Sequence, residues 1–147
     1  MSYTIIVQAR QSSKRLPQKV LKPILGKPML YYLIERLRAV HNANQIVVAT
    51  THKICDDSIV SFCKDLKVET FRGPEENVLE RYYQAAIKYQ ADKIIRVTAD
   101  CPLIDPFVID KGIRIFQRRE AHIDYVSNTL YRSYPKGKDV EILACKP

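Results

Sequence analysis

Along the chain, compact apolar runs alternate with segments whose apolar residues recur at helical spacing. Residues 3–9 (YTIIVQA) are rich in β-branched side chains and predict a buried strand. A polar, basic stretch follows, after which Pro28 suits the first turn of a helix. Met29, Leu30, Leu33, Ile34 and Leu37 then recur every three or four residues, predicting one apolar face on a helix that ends near His41. Residues 45–50 (QIVVAT) predict a second buried strand. Ile59, Val60, Phe62, Cys63 and Leu66 give a face to a helix over 56–66, and residues 67–71 alternate as a short strand. Asn77 can cap a helix over 78–90, with Val78, Leu79, Tyr82, Tyr83, Ala86 and Ile87 on its apolar side. Residues 93–98 (KIIRVT) predict a fourth strand and 106–118 a helix, while 123–127 and 140–143 are shorter strand candidates.

Strand and helix thus alternate almost throughout. The pattern predicts an α/β fold, one domain over residues 1–147, with a mainly parallel sheet and helices on both faces. In such sheets ligands bind beyond the carboxyl ends of the strands, where the strand order reverses. Two segments follow strands and carry charge. One is "VQARQSSKRLPQKVL", residues 7–21, with Arg10, Lys14, Arg15 and Lys19 and no acidic residue before Glu35. The other is "TADCPLIDP", residues 98–106, with Asp100. Should the first and fourth strands be neighbours, these loops face one another across the crevice, cations on one side and a carboxylate on the other.

That pairing suits phosphoryl or nucleotidyl transfer. Arginine presents a planar fork to phosphate and lysine a movable point charge. Mg²⁺ takes one or two carboxylates and completes its shell with phosphate oxygens and water. On charge alone the basic loop can also be read as a solvated face, the less favoured reading, while Asp100 alone reads as a turn residue. Their joint placement after two central strands favours the functional reading.

Composition narrows the picture further. The formal net charge of +8 favours anionic partners without choosing among them. The four glycines (Gly26, Gly73, Gly112, Gly137) form neither G-x-x-x-x-G-K-[ST] nor G-x-G-x-x-G, which excludes the common phosphate loops. There is no G-x-S-x-G, and no Asp-x-Asp of the kind common in glycosyltransferases. His52, Cys55 and Cys63 are close in sequence but lack a fourth zinc ligand at a recognised spacing, so the four cysteines read as reduced thiols. His41 suits the end of a helix and needs no other role. No signal-peptide pattern opens the chain and no apolar run approaches membrane-spanning length, so a cytoplasmic location is expected.

The stretch "VQARQSSKRLPQKVLKPILGKPMLYYLIERL" resembles the opening of the cytidylyltransferases that activate acidic sugars, the acylneuraminate and 3-deoxy-manno-octulosonate enzymes. "VVATT", "FRGPEENVLERYYQAA", "IIRVTADCPLIDP", "DYVSNTL" and "YPKGKDVEI" follow in the order of the branch called spore coat polysaccharide biosynthesis protein F. The resemblance implies a nucleotide-diphosphosugar transferase fold, a three-layer α/β/α sandwich. It implies transfer of CMP from CTP to an acidic sugar with Mg²⁺ and release of pyrophosphate. It places Arg10 and Lys19 on the triphosphate, with Arg15, Ser13 and Ala9 in the same loop and Asp100 at the metal and ribose. Asn77 and Arg81 fall in the segment that approaches the nucleotide in relatives, and Asp139 is a candidate second metal ligand. Arg10, Lys19 and Asp100 are the candidate catalytic residues.

The match departs from the family in two ways. Relatives often carry a small residue where this chain has Ser12 and glycine where it has Gln18; both residues serve if the loop keeps ordinary dihedrals. Family members also run past the position of Pro147, so the domain is expected to lack the family's C-terminal part. A truncated or non-catalytic nucleotide-binding paralogue therefore stands as one alternative, and a basic module binding single-stranded nucleic acid as another. Nucleic acid is disfavoured because Tyr31, Tyr32, Tyr82 and Tyr83 lie on predicted helices, partly on apolar faces. A homodimer is compatible with the resemblance; the sequence itself does not set the assembly state.

Overall fold

The computed structural model describes residues 1–145. In chain order the elements are β1 (Tyr3–Gln8), β2 (Pro23–Ile24), β3 (Lys27–Pro28), α1 (Met29–Arg38), β4 (Gln45–Thr51), α2 (Asp57–Asp65), β5 (Glu69–Gly73), α3 (Val78–Lys88), β6 (Lys93–Thr98), α4 (Pro106–Arg119), β7 (Tyr125–Ser127) and β8 (Glu141–Ala144). Single turns of 3₁₀-helix cover Lys19–Leu21 and Ile54–Asp56.

The main sheet has the order β5-β4-β1-β6-β8-β7. β1 pairs in parallel with β4 on one side and β6 on the other, and β4 pairs in parallel with β5. β8 runs antiparallel to both its neighbours. The chain therefore steps outward from β1 through β4 to β5, then returns to place β6 on the opposite side of β1. The strand order reverses between β1 and β6, which satisfies the geometric condition for the two charged loops to meet.

Alternation along β1 sorts its side chains onto two cores. Tyr3, Ile5 and Val7 pack with Leu30, Leu33, Ile34 and Leu37 of α1, Ile59 and Cys63 of α2, and Ile109, Ile113 and Phe116 of α4. Ile6 points to the other face and packs with Ala49, Tyr82, Ala85 and Ala86. The result is the expected three-layer α/β/α arrangement, with three helices on one face and α3 alone on the other. Leu79, Tyr83 and Ile87, expected on the buried side of α3, are exposed instead. They follow one another at four-residue spacing, and Leu79 and Tyr83 line an open groove between α3 and Ile94, Arg96 and Leu143 of the sheet.

Several element ends differ from the pattern-based expectation. α1 stops at Arg38 rather than near His41, and Pro28 precedes the helix as the last residue of β3. α2 and α3 end early because Lys67 and Gln90 take left-handed φ values of 54° and 52°. Each closes a Schellman motif, with Val68 N–H donating to Cys63 O at 2.9 Å and Ala91 N–H donating to Ala86 O at 2.9 Å. β5 consequently starts at Glu69, two residues after the expected position. The β2–β3 hairpin, turned by Leu25 and Gly26 at φ 46° and 80°, was hidden in the basic stretch. Two positive φ values in a two-residue turn are what a twisted hairpin requires.

Candidate active site

At the carboxyl edge, between β1 and β6, lies a groove of about 190 Å³. Arg10, Ser13, Arg15 and Lys19 line it from the loop after β1, with Thr98 and Asp100 from the end of β6. The separation into a cationic wall and a carboxylate wall follows directly from the pairing of β1 with β6. Lys19 Nζ spans the groove and donates to Asp100 Oδ2 at 2.9 Å. Burial pulls the Asp100 carboxyl up, but the hydrogen bonds from Lys19 and Thr98 outweigh it and hold the group below its ordinary value. Asp100 is thus an anion in the resting site.

The cationic loop is anchored through its backbone and has no glycine-rich cradle. Gln11 N–H donates to Asp56 Oδ1 at 2.8 Å, and Gln11 O accepts from Ser13 N–H at 2.9 Å and Gln18 N–H at 3.0 Å. Asp56 is fully buried and also accepts from Thr51 N–H and the Thr51 hydroxyl, which ties the loop to the end of β4. Gln18 departs from the expected ordinary dihedrals: its φ is 58° and its ψ 21°, the left-handed region. Ser12 takes no positive φ. Gln18→Gly should therefore stabilise the protein by about 0.5–1 kcal/mol, since a β-carbon in that region costs about 1–2 kcal/mol and glycine returns part of this as unfolded-state entropy. Urea unfolding checks it, and a destabilised variant would show that the Gln18 side chain contributes more than its backbone strain costs.

The remaining expected site residues do not line the groove. Ala9 is buried between the lining residues Gln8 and Arg10, its N–H donating to Ala49 O at 3.1 Å. Asn77 caps α3, its Oδ1 accepting from Glu80 N–H at 3.0 Å. Arg81 is fully buried; its Nη1 donates to Pro74 O at 2.7 Å, while Nε and Nη2 have no hydrogen-bond partner among the described residues. Burial lowers its pKa from the ordinary arginine value. Asn77 and Arg81 do not line the groove and lie past the turn that follows β5. Asp139 does not line it either, and its carboxylate is gripped by Arg132 Nη1 at 2.6 Å and Nη2 at 3.3 Å.

Two charged residues near the site escaped the sequence reading. Glu75 and Lys53 pair at 2.5 Å, and Glu75 Oε1 accepts from the Ser12 hydroxyl at 2.7 Å. The quoted "GPEEN" was the available signal, but spacing alone does not show that β5 delivers it to the loop after β1. Cys63 is buried in the core and Cys55 exposed, and among the described residues no group of three or more His, Cys, Asp or Glu side chains could hold a metal ion.

A sequence profile described as cytidylyltransferase matches residues 4–136. The chain belongs to the cytidylyltransferase family. Within that family it is 43% identical over 122 residues to an uncharacterised protein of Methanocaldococcus jannaschii, covering 83% of this chain and 49% of that one. It is 35% identical over 130 residues to the spore coat polysaccharide biosynthesis protein SpsF of Bacillus subtilis, covering 86% and 52%. It is 34% identical over 113 residues to a 3-deoxy-manno-octulosonate cytidylyltransferase of Geobacter metallireducens, covering 77% and 44%. The solved cytidylyltransferase of Leptospira borgpetersenii superposes with a TM-score of 0.95 at 34% identity, over 99% of this chain and 61% of that one. This cytidylyltransferase-family chain thus spans about half the length of the curated relatives it matches. Its fold is the nucleotidyltransferase fold of those neighbours, and no helix among the described residues is long and apolar enough to cross a membrane.

Proposed function

We propose that the groove between β1 and β6 binds CTP with Mg²⁺, and that the chain serves the transfer of CMP to an acidic sugar, with release of pyrophosphate, in cytoplasmic polysaccharide biosynthesis. The observation that carries this reading is the meeting of Arg10, Arg15 and Lys19 with Asp100 across one groove. Membership of the cytidylyltransferase family and similarity to a 3-deoxy-manno-octulosonate cytidylyltransferase support CTP and an acidic sugar over other nucleotides and acceptors.

The donor set fits Mg²⁺ better than a metal that needs an all-protein cage. Asp100 supplies one carboxylate at the groove, and magnesium commonly keeps waters and takes its other ligands from phosphate oxygens. When bound there it would neutralise charge on the phosphates. Lys19 and Asp100 hold each other in the resting site; with a triphosphate bound, Lys19 would bind phosphate oxygens and Asp100 would be the residue to hold the metal. Arg10 and Arg15 stabilise negative charge on the departing pyrophosphate. The rest of the rate comes from positioning of the two reactants.

A thermal-shift panel with CTP, UTP, ATP and GTP, each with Mg²⁺, tests the nucleotide assignment. CTP at 100 times its dissociation constant should stabilise the chain by about 2.7 kcal/mol, a rise of roughly 5–10 °C, and the purine nucleotides far less. Equal shifts for all four, or none for CTP, would remove the assignment. Pyrophosphate release from CTP with a panel of acidic sugars then tests the transfer itself.

A further inference from the structure

Glu75 lies just past β5, two strands from β1 in the sheet order, yet its side chain reaches the loop after β1. Its Oε1 accepts from the Ser12 hydroxyl at 2.7 Å and stands 3.8 Å from Arg10 Nη1. Its Oε2 is 2.5 Å from Lys53 Nζ, in the loop after β4. The turn that carries it is fixed from beneath, where buried Arg81 donates to Pro74 O at 2.7 Å. Three loops at the carboxyl edge therefore converge on one carboxylate, whose side chain is only 16% exposed.

A carboxylate beside a polyphosphate site repels the ligand, so it lowers affinity unless its contacts return more than the repulsion costs. Two features supply that return. Lys53 neutralises the charge at close range. The Ser12 bond fixes the residue that lies between Gln11 and Ser13, and hence the short segment joining anchored Gln11 to the groove. Hydrogen bonds from Lys53 and Ser12 hold the Glu75 carboxyl below the usual carboxylate range, so it stays an anion at neutral pH. Arg10, by contrast, is held at a distance too long for a hydrogen bond.

We propose that Glu75 is a positioning residue that braces the loop after β1 through Ser12 and Lys53, so that Arg10 and Ser13 face the groove before the nucleotide arrives. Arg10 stays loosely tethered and turns to phosphate at little cost. The proposal rests on the nucleotide reading of the groove, and its test separates the two.

The test compares Glu75→Ala, Glu75→Gln and Ser12→Ala in the intact chain. Amide hydrogen exchange over residues 10–18 is followed without nucleotide, and CTP–Mg²⁺ affinity by calorimetry. In Glu75→Ala the loop amides should exchange about tenfold faster while those of the central strands keep their wild-type rate. The dissociation constant for CTP should rise about tenfold, in line with loss of charge-assisted hydrogen bonds. Glu75→Gln, whose amide oxygen still accepts from Ser12, should recover part of both effects. The Ser12→Ala, Glu75→Ala double variant should bind no more weakly than Glu75→Ala alone. Unchanged loop exchange in Glu75→Ala overturns the brace, whether or not CTP binds. Faster loop exchange with unchanged CTP affinity overturns the positioning role. Wild-type protein that binds no CTP overturns the nucleotide reading and with it the positioning role, while loop exchange still decides the brace.

Discussion

Arg10→Ala and Lys19→Ala should each weaken CTP binding roughly thirtyfold, a loss of about 2 kcal/mol, the usual worth of a hydrogen bond between charged groups. At a CTP concentration that stabilises the wild type by about 2.7 kcal/mol, each variant would keep only about 0.9 kcal/mol, so some two thirds of the thermal shift disappears. The resting protein should hardly change. The Lys19–Asp100 pair has side chains 28% and 44% exposed, and pairs that open to solvent contribute about 0–1 kcal/mol. Among the described residues Arg10's ion pair is the long 3.8 Å contact with Glu75. The expected signature is therefore a normal melting temperature without nucleotide and a lost shift with it. Full shifts in both variants would show that the triphosphate lies elsewhere.

Asp56→Ala should have the largest effect on stability, about 3 kcal/mol or roughly 10 °C in melting temperature. Asp56 is fully buried and accepts from Gln11 N–H at 2.8 Å, Thr51 N–H at 3.2 Å and the Thr51 hydroxyl. Alanine leaves these donors beside it without their acceptor, and an unsatisfied buried group costs about 1–3 kcal/mol. Because Gln11 anchors the loop, CTP affinity should fall as well. Asp56→Asn keeps one acceptor oxygen and should lose less. Calorimetric unfolding checks both, and a loss below about 1 kcal/mol for Asp56→Ala would mean that water replaces the carboxylate there.

How far the site was legible follows from where each residue's partners lie. Asn77 was readable as a cap because the N–H it accepts belongs to Glu80, three residues on. Arg10, Arg15, Lys19 and Asp100 were readable as a group because two apolar runs placed their loops at the same edge of a parallel sheet, and Ser13 through the family resemblance alone. Glu75 was not, since its partners Ser12 and Lys53 belong to loops after other strands. The early ends of α2 and α3 were hidden for another reason: Lys67 and Gln90 adopt a backbone conformation that glycine usually advertises.

The sequence by itself determined the order of the main strands and helices, the cationic loop after β1, the carboxylate after β6, and the family whose motifs those segments carry. Each depends on short-range information: alternation, helical spacing, caps and contiguous motifs. Only the tertiary structure decided that β6 lies beside β1, that β8 runs antiparallel, and that three helices share one face while α3 has the other. It alone showed Lys19 on Asp100 and Glu75 on Ser12. Those contacts join residues 81 and 63 positions apart. Their energy depends on distances that the folded sheet sets and that no local pattern encodes.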